Sequence, residues 1–536
     1  MHAFILRNSS GNSDNVEVPD GPSEHPPMSG QSIRDRIRGL GWWRFAAGMV
    51  AGAAGLGVTF VLRLLGLGVF LPEVAVDFVV GRIPGSVEAI FIQTMGEGAK
   101  VLGLATALAI FLILSGAYAM PFRWLQRRVR RRWVLILACA TGYAIAVLFV
   151  ILPILGAGFF GSETSAGAGF ATFSQVLAGW TYASVLNYLL VDFAARYPQG
   201  FRPSRREFLA GLGILVATVA IAVAGFGSLL ASRTARLTYA TIASLFAHEE
   251  TPNEEFYVVT KNVIDPDVDA TSWRLTVDGL VEQPRVYSLA DLEALATSSE
   301  FVTLECISNQ VGGNLMSTAE WTGIRLADLI AASTPRPTAD WVAFACADGY
   351  TVGIPLSRAM AGSTLLALRM KGLPLPRAHG APARIVVAGL YGMFHAKWVE
   401  RISLVEGEFL GFWQQKGWSN RGDIRTTAII TTPPPDSVVE GLSEIGGVAF
   451  AGARGISRVE VSTDGGTTWS AATLKAPALS ESTWVVWTYA WAPPSSGAYR
   501  IVARAYDLGG VMQEPARSAP FPNGASGYDA ITLLVR

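Results

Sequence analysis

Histidine and cysteine are scarce in this chain: its 536 residues hold five of the first and three of the second. His2, His25, His248, His379 and His395 all lie outside the long apolar runs, so a bis-histidine haem cannot be built inside a membrane segment. The Cys-x-x-Cys-His phrase of attached c-type haem is missing as well. Cys139 sits in an apolar run, which rules out a disulfide framework; Cys306 and Cys346 could form one bridge at most. Charge is sparse too, with 16% of residues charged and Lys+Arg matching Asp+Glu at 42 each. That balance gives no nucleic-acid surface. Beyond Glu254 no Gly-x-Gly-x-x-Gly follows a strand pattern, so a nicotinamide-binding Rossmann unit is not supported.

What the chain has in excess is apolar sequence, 51% of residues with a mean hydropathy of +0.36. Nearly all of the excess lies before residue 232. Residues 45–62, 101–120, 134–155, 171–191 and 208–231 are long runs almost without charge. A helix needs about 20 such residues to cross a bilayer, so five spans are predicted, forming an all-α anchor over 41–232. The stretch Leu64 to Met95 carries Glu73, Asp77, Arg82 and Glu88 and reads as interfacial or re-entrant. Residues 1–40 read as a disordered cytoplasmic tail, rich in Ser, Asn, Pro and Gly over its first 30 positions.

Arginine placement predicts the orientation. Clusters precede the first run (Arg34, Arg36, Arg38, Arg44), fill 123–132 and recur at Arg196, Arg202, Arg205 and Arg206, while 156–170 has no Lys or Arg. With these clusters inside, the fifth run exits and the C-terminal half lies outside the cytoplasmic membrane. Ser204-Arg205-Arg206-Glu207-Phe208-Leu209 looks like a twin-arginine export motif, although any Arg pair gives a positive-inside flank.

After a linker over 233–253, ordinary globular sequence begins. Over 254–425 short strand signals such as Trp273–Val281 alternate with helical ones at Leu289–Leu295 and Arg325–Ala332, an α+β pattern. From 426 to 536 the pattern is strands only, with an Asp464-Gly-Gly466 hairpin signal and clean alternation over Tyr499–Tyr506. Strands at this spacing suggest an immunoglobulin-like β-sandwich.

Three phrases in the α+β segment carry chemistry: Thr303-Leu-Glu-Cys306-Ile-Ser-Asn309, His379-Gly-Ala-Pro-Ala-Arg384 and His395-Ala396-Lys397-Trp398. A thiolate suits a redox metal. Arg384 can donate a bidentate fork to a phosphate, with Lys397 as a point charge. Gly380 and Pro382 suit a turn between His379 and Arg384, and Gly389 and Gly392 permit close backbone approach. The plainer readings are that Cys306 is inert core, that Arg384 pairs with a carboxylate such as Asp348, and that His395 is a satisfied core histidine. Cys346, in Trp341–Cys346, reads as a buried strand residue.

Taken in order, and with Trp321–Leu329 and Asp348-Gly-Tyr350, these phrases resemble the sulfite oxidase family over residues 254–425. The resemblance implies a Mo-molybdopterin cofactor, with Cys306 as the metal ligand and catalytic thiolate. It implies further that Asp348, His379, Arg384, His395, Ala396 and Lys397 contact the pterin, those from His379 onward near its phosphate. The final segment resembles the family's dimerisation domain, which implies a homodimer. The resemblance breaks where the family places arginines near the metal: Gln310 and Val311 follow the cysteine phrase, Val259 stands in the opening strand, and Leu410 replaces a tyrosine. Fewer cations fit a neutral substrate better than sulfite.

The expected function is therefore outward-facing, two-electron oxygen-atom transfer on a small sulfur or nitrogen compound. Sulfite oxidation, with electrons passed to an external cytochrome, is the alternative. Electrons would pass to an external electron-transfer protein or a quinone-linked partner. From other classes come a catalytically silent exported binding module and a transporter fused to a receptor, the second weakened by spans without paired charges.

Overall fold

The computed structural model describes residues 30–95, 98–129, 131–164, 166–193, 236–262 and 264–536. The N-terminal tail up to residue 29, the Arg196–Arg206 cluster, the Ser204–Leu209 motif and the predicted fifth span at 208–231 lie outside them.

The N-terminal half is helical. Its elements are α1 (Gly30–Leu64), α2 (Leu71–Val80), α3 (Gly85–Met95), α4 (Gly98–Tyr118), α5 (Phe122–Arg128), α6 (Arg132–Ala146), α7 (Leu152–Ile154) and α8 (Gly167–Asn187). The segments Trp43–Leu64, Gly98–Arg128 and Arg132–Ile154 are long and apolar enough to cross a bilayer. They match three of the five predicted runs. The fourth run forms α8, but that helix carries polar Ser174 and Gln175, both fully buried, and falls outside this group. Gln175 donates to the Val69 carbonyl at 2.8 Å, so its amide ties α8 to the stretch after α1. Helix α1 packs on α4 and α8. Small residues allow this: a Cβ on Gly52 would stand 2.4 Å from that of Ser115. Helix α1 also starts eleven residues earlier than the predicted anchor boundary; Ile33, Ile37 and Leu40 continue the helical spacing in the sequence.

The charged stretch after α1 forms α2 and α3, of 10 and 11 residues, too short to span. Glu73 is buried in a two-point ion pair with Arg63 at 2.8 and 2.9 Å. Beyond α2 the chain supports the soluble half. Lys416 donates to the Val80 carbonyl and lies 3.6 Å from Glu88, while Ala89 packs into a cluster with Trp418 and Ile424.

The α+β half contains two sheets. One has order β2-β1-β10-β5-β6, built from β1 (Arg274–Gly279), β2 (Arg285–Ser288), β5 (Trp341–Cys346), β6 (Thr351–Pro355) and β10 (Val399–Val405). Only β1 and β10 run parallel in it, with Thr276 opposite Arg401. The other has order β3-β4-β7-β8 with β9 on β7: β3 (Ser298–Glu305), β4 (Met316–Arg325), β7 (Thr364–Met370), β8 (Leu373–Pro374) and β9 (Arg384–Val387). Leu275, Phe344, Leu366, Ile385 and Ile402 pack between the sheets in one core. Cys346 belongs to that core, as predicted, and all three cysteines are free.

The C-terminal segment folds as two β-sheets sharing a core that includes Ile430, Val459, Trp487, Ile501 and Leu533. The Asp464 signal joins two antiparallel strands, Ile456–Ser462 and Ser470–Ala471. The described part of the predicted linker, 236–253, is docked. Arg236 pairs with Asp529, Tyr239 N–H donates to the Thr431 carbonyl at 2.8 Å, and the Glu249 carbonyl accepts from Trp484 Nε1 at 2.8 Å.

Candidate active site

Strand β3 delivers its last residues to the bottom of a cleft and then turns. Cys306 follows directly, its N–H donating to the Leu315 carbonyl at 3.0 Å and its carbonyl accepting from Asn309 N–H at 2.9 Å. These two bonds fix the thiol rigidly. Its Sγ lies 3.0 Å from Ser308 Oγ, and burial pushes the thiol pKa up. The side chain borders a cavity of about 110 Å³ and is 9% exposed, so it is not sealed among aliphatic neighbours.

The second phrase forms a short 3-10 turn, Arg377–His379, followed by left-handed Gly380 and then β9. Gly380 is required there: at φ +105°, a Cβ would also meet that of Lys397 at 3.0 Å. Arg384 opens β9 fully buried beneath the cavity. It donates to the His379 carbonyl at 3.1 Å and stacks over Trp321, with its guanidinium carbon 4.8 Å from the ring centre. Its Nε is buried with no hydrogen-bond partner. Burial lowers its pKa to about 10. Asp348 does not pair with it; that carboxylate accepts from Asn262 Nδ2 and Tyr350 N–H, both at 3.0 Å, and lies 3.8 Å from Lys261 Nζ.

The third phrase brings His395 and Lys397 to the same wall. Lys397 donates to the Ala378 carbonyl at 3.0 Å, and burial pushes its ammonium down to about 7. His395 accepts from Val387 N–H at Nδ1 and donates from Nε2 to the Leu390 carbonyl at 3.0 Å. Both ring nitrogens are thus engaged within the protein, as the core-histidine reading held, although the ring lines the cavity. His379 also lines it, edge-on to Phe256 with centroids 5.3 Å apart. Burial lowers the two imidazoles to about 4 for His379 and about 3 for His395.

One cavity therefore collects Cys306, Asp348, His379, Arg384, His395 and Lys397. Ala396 is not on its wall; its methyl is in the core and its carbonyl accepts from Ile385 N–H at 2.8 Å. Of the positions where arginine is lacking, Val259 lines the cavity while Gln310 and Val311 do not, and Leu410, where a tyrosine is lacking, does not line it either. Sequence reasoning did not single out Tyr257, Lys261 and Trp413 as site residues, and all three line the cavity. Tyr257 belongs to an irregular segment without a motif. Asp348-Gly-Tyr350 was visible, and the Tyr350 hydroxyl donates to the Met393 carbonyl at 2.6 Å.

This arrangement defines a class: a buried thiol at one point of a cleft, with a guanidinium whose Nε is unpartnered and a lysine at another. A family model described as "Oxidoreductase molybdopterin binding domain" matches residues 262–413, and a "Mo-co oxidoreductase dimerisation domain" matches 420–519. The chain is 33% identical to sulfite oxidase of Gallus gallus over 322 residues, 51% of this chain and 70% of that one. It is 34% identical to mitochondrial sulfite oxidase of Mus musculus, covering 48% of this chain and 56% of the mouse protein. It is also 32% identical to the uncharacterized oxidoreductase YuiH of Bacillus subtilis (strain 168), covering 29% of this chain and 76% of that one. The chain thus spans little more than half the length of the mammalian relatives. It belongs to the sulfite oxidase family of molybdopterin-dependent oxidoreductases.

The family implies a Mo-molybdopterin cofactor, and the residues present fit it. Arg384 Nε is buried with no hydrogen-bond partner, and burial pulls the Lys397 ammonium down to about 7; a pterin phosphate would supply an anion to pair with both. Cys306, on the same cavity, carries a thiol of the soft kind that redox metals favour.

Proposed function

We propose that this chain is a membrane-anchored oxidoreductase that carries out two-electron oxygen-atom transfer on a small sulfur or nitrogen compound, on the outer side of the cytoplasmic membrane. The observation that carries this reading is the meeting of Cys306 with Arg384 and Lys397 around one cavity. In it, Cys306 holds molybdenum, Arg384 and Lys397 hold the phosphate, and His379, His395, Asp348 and the Ala396 backbone complete the pterin contacts. Bound there, Mo-molybdopterin supplies the two-electron oxygen-atom chemistry, while the protein supplies position and electrostatics. Arginine-flanked apolar helices support the anchor and its orientation, and Arg205-Arg206 supports export. The C-terminal pair of sheets is read as an immunoglobulin-like dimerisation unit, supported by the family match over 420–519.

Val259 on the wall supports a substrate of low charge, since the one other lysine there, Lys261, is matched by Asp348. Sulfite oxidation with a cytochrome partner is the second reading, favoured by the relatives' names and by the presence of that lysine. Assays of the purified full chain with soluble dyes against sulfite, S-oxides and N-oxides separate the two. Turnover of an uncharged oxide above that of sulfite is expected. Efficient sulfite oxidation would overturn the low-charge assignment, and absence of molybdenum would return the chain to the silent binding module.

A further inference from the structure

A second and larger cavity, about 950 Å³ among the described residues, lies against the first. The segment Phe256–Lys261 and Trp413 line both. On its other sides stand α2, α3 and α4 with Ile151 and Leu155, so it joins the apolar helices to the proposed redox site. Its volume suits a drug-sized organic ligand.

The lining is polarised. Along α4, Gly103, Ala107, Ile110, Phe111 and Leu114 give an apolar channel. Toward the soluble half come Glu88, Lys100, Thr260, Lys261 and Asn314. Glu88 is 6% exposed, and its Oε2 has no hydrogen-bond partner, Lys416 being 3.6 Å away. Burial pushes this carboxyl up to about 7, against the pull of Lys416. Three carboxylates, Glu88, Glu254 and Glu255, face two lysines, Lys100 and Lys261, a balance that disfavours a phosphate headgroup.

We infer that this cavity binds a membrane quinone, its ring near Glu88 and Trp413 and its isoprenoid tail along α4, as the two-electron partner of the molybdopterin site. The inference rests on the redox reading above. For a substrate X the reaction balances as X + H2O + quinone → XO + quinol. Water supplies the oxygen, and two electrons and two protons pass to the quinone carbonyls, which become hydroxyls. Run in reverse, quinol reduces XO and releases water. Glu88 stands where a proton can be exchanged with a ring oxygen.

The test uses the purified full chain in detergent, with and without cofactor, and a photoreactive azido-ubiquinone analogue. Labelling by the ring azide is expected in peptides of α3, of Phe256–Lys261 and around Trp413, and should disappear when unlabelled short-chain ubiquinone competes. Gly103→Phe fills the channel, because the nearest atoms to a Cβ there are Val76 methyls at 3.6 Å. The variant should lower labelling and quinone-linked turnover by about tenfold or more while leaving turnover with a soluble dye unchanged. Labelling that is absent or not competed, including by a phospholipid that stays bound, overturns the quinone site. Equal loss of dye and quinone turnover in Gly103→Phe does so too. Labelling as expected, but no dye turnover and no molybdenum in the wild-type chain, sinks the redox reading and leaves only a quinone-binding cavity.

Discussion

At the scale of single residues, the proposed site gathers buried polar groups around one cavity. Arg384→Ala removes a fork whose charged hydrogen bonds are worth roughly 1.5–3 kcal/mol each, so cofactor retention on gel filtration should fall about tenfold or more. Arg384→Lys should restore it poorly, since an ammonium cannot reproduce the fork or the stacking on Trp321. Retention at the wild-type level in Arg384→Ala would place the phosphate elsewhere. His379 and His395 give a pH prediction. Burial holds both neutral, down to about 4 and about 3, while the unfolded chain protonates near 6.5. The unfolded state therefore binds more protons between those limits. Stability of the cofactor-free chain should drop as pH falls from 6.5 toward 4 for His379 and toward 3 for His395, by roughly 1.4 kcal/mol per unit per group. Denaturant midpoints across pH 3–7 measure this, and His395→Gln should flatten the lower part of the curve. Cys306, Arg384 and Lys397 were legible because each belongs to a phrase of fixed spacing. Tyr257 and Lys261 were not, because an irregular segment carries no period from which to infer a facing.

At the scale of elements, the turn before β9 shapes the cavity wall, and α3 meets the α+β half through Ala89 and Glu88. Gly380→Ala forces a side chain into φ +105° and against Lys397, a strain of about 1–3 kcal/mol. Its melting temperature should fall and its cofactor content with it; an unchanged melting curve would show that the turn relaxes freely. Gly85→Ala puts a methyl 2.5 Å from the Lys416 carbonyl and 3.1 Å from Trp418. Overpacking of this kind costs about 1–3 kcal/mol, so hydrogen exchange over residues 413–418 should quicken. Unchanged exchange would mean that α3 does not brace the soluble half. Apolar runs and alternating strands made the helical half, the α+β half and the β-rich end readable in advance. The docking of 236–253 was not readable, because its anchors, Asp529, Thr431 and Trp484, lie far away in sequence. The tie between α8 and the stretch after α1 was not readable for a related reason: Gln175 Nε2 donates to the carbonyl of Val69, a partner that no local pattern reveals.

For the whole molecule, a helical half with three bilayer-length segments, a family α+β unit and a two-sheet unit meet through packed contacts among the described residues. The central claim about this assembly is that its cleft seats molybdenum on the Cys306 sulfur. Molybdenum K-edge absorption of the purified full chain, compared with Cys306→Ser, measures that bond directly. The account predicts molybdenum in the wild-type protein with one more sulfur neighbour than in the variant. Identical spectra, or no molybdenum in either protein, would contradict it.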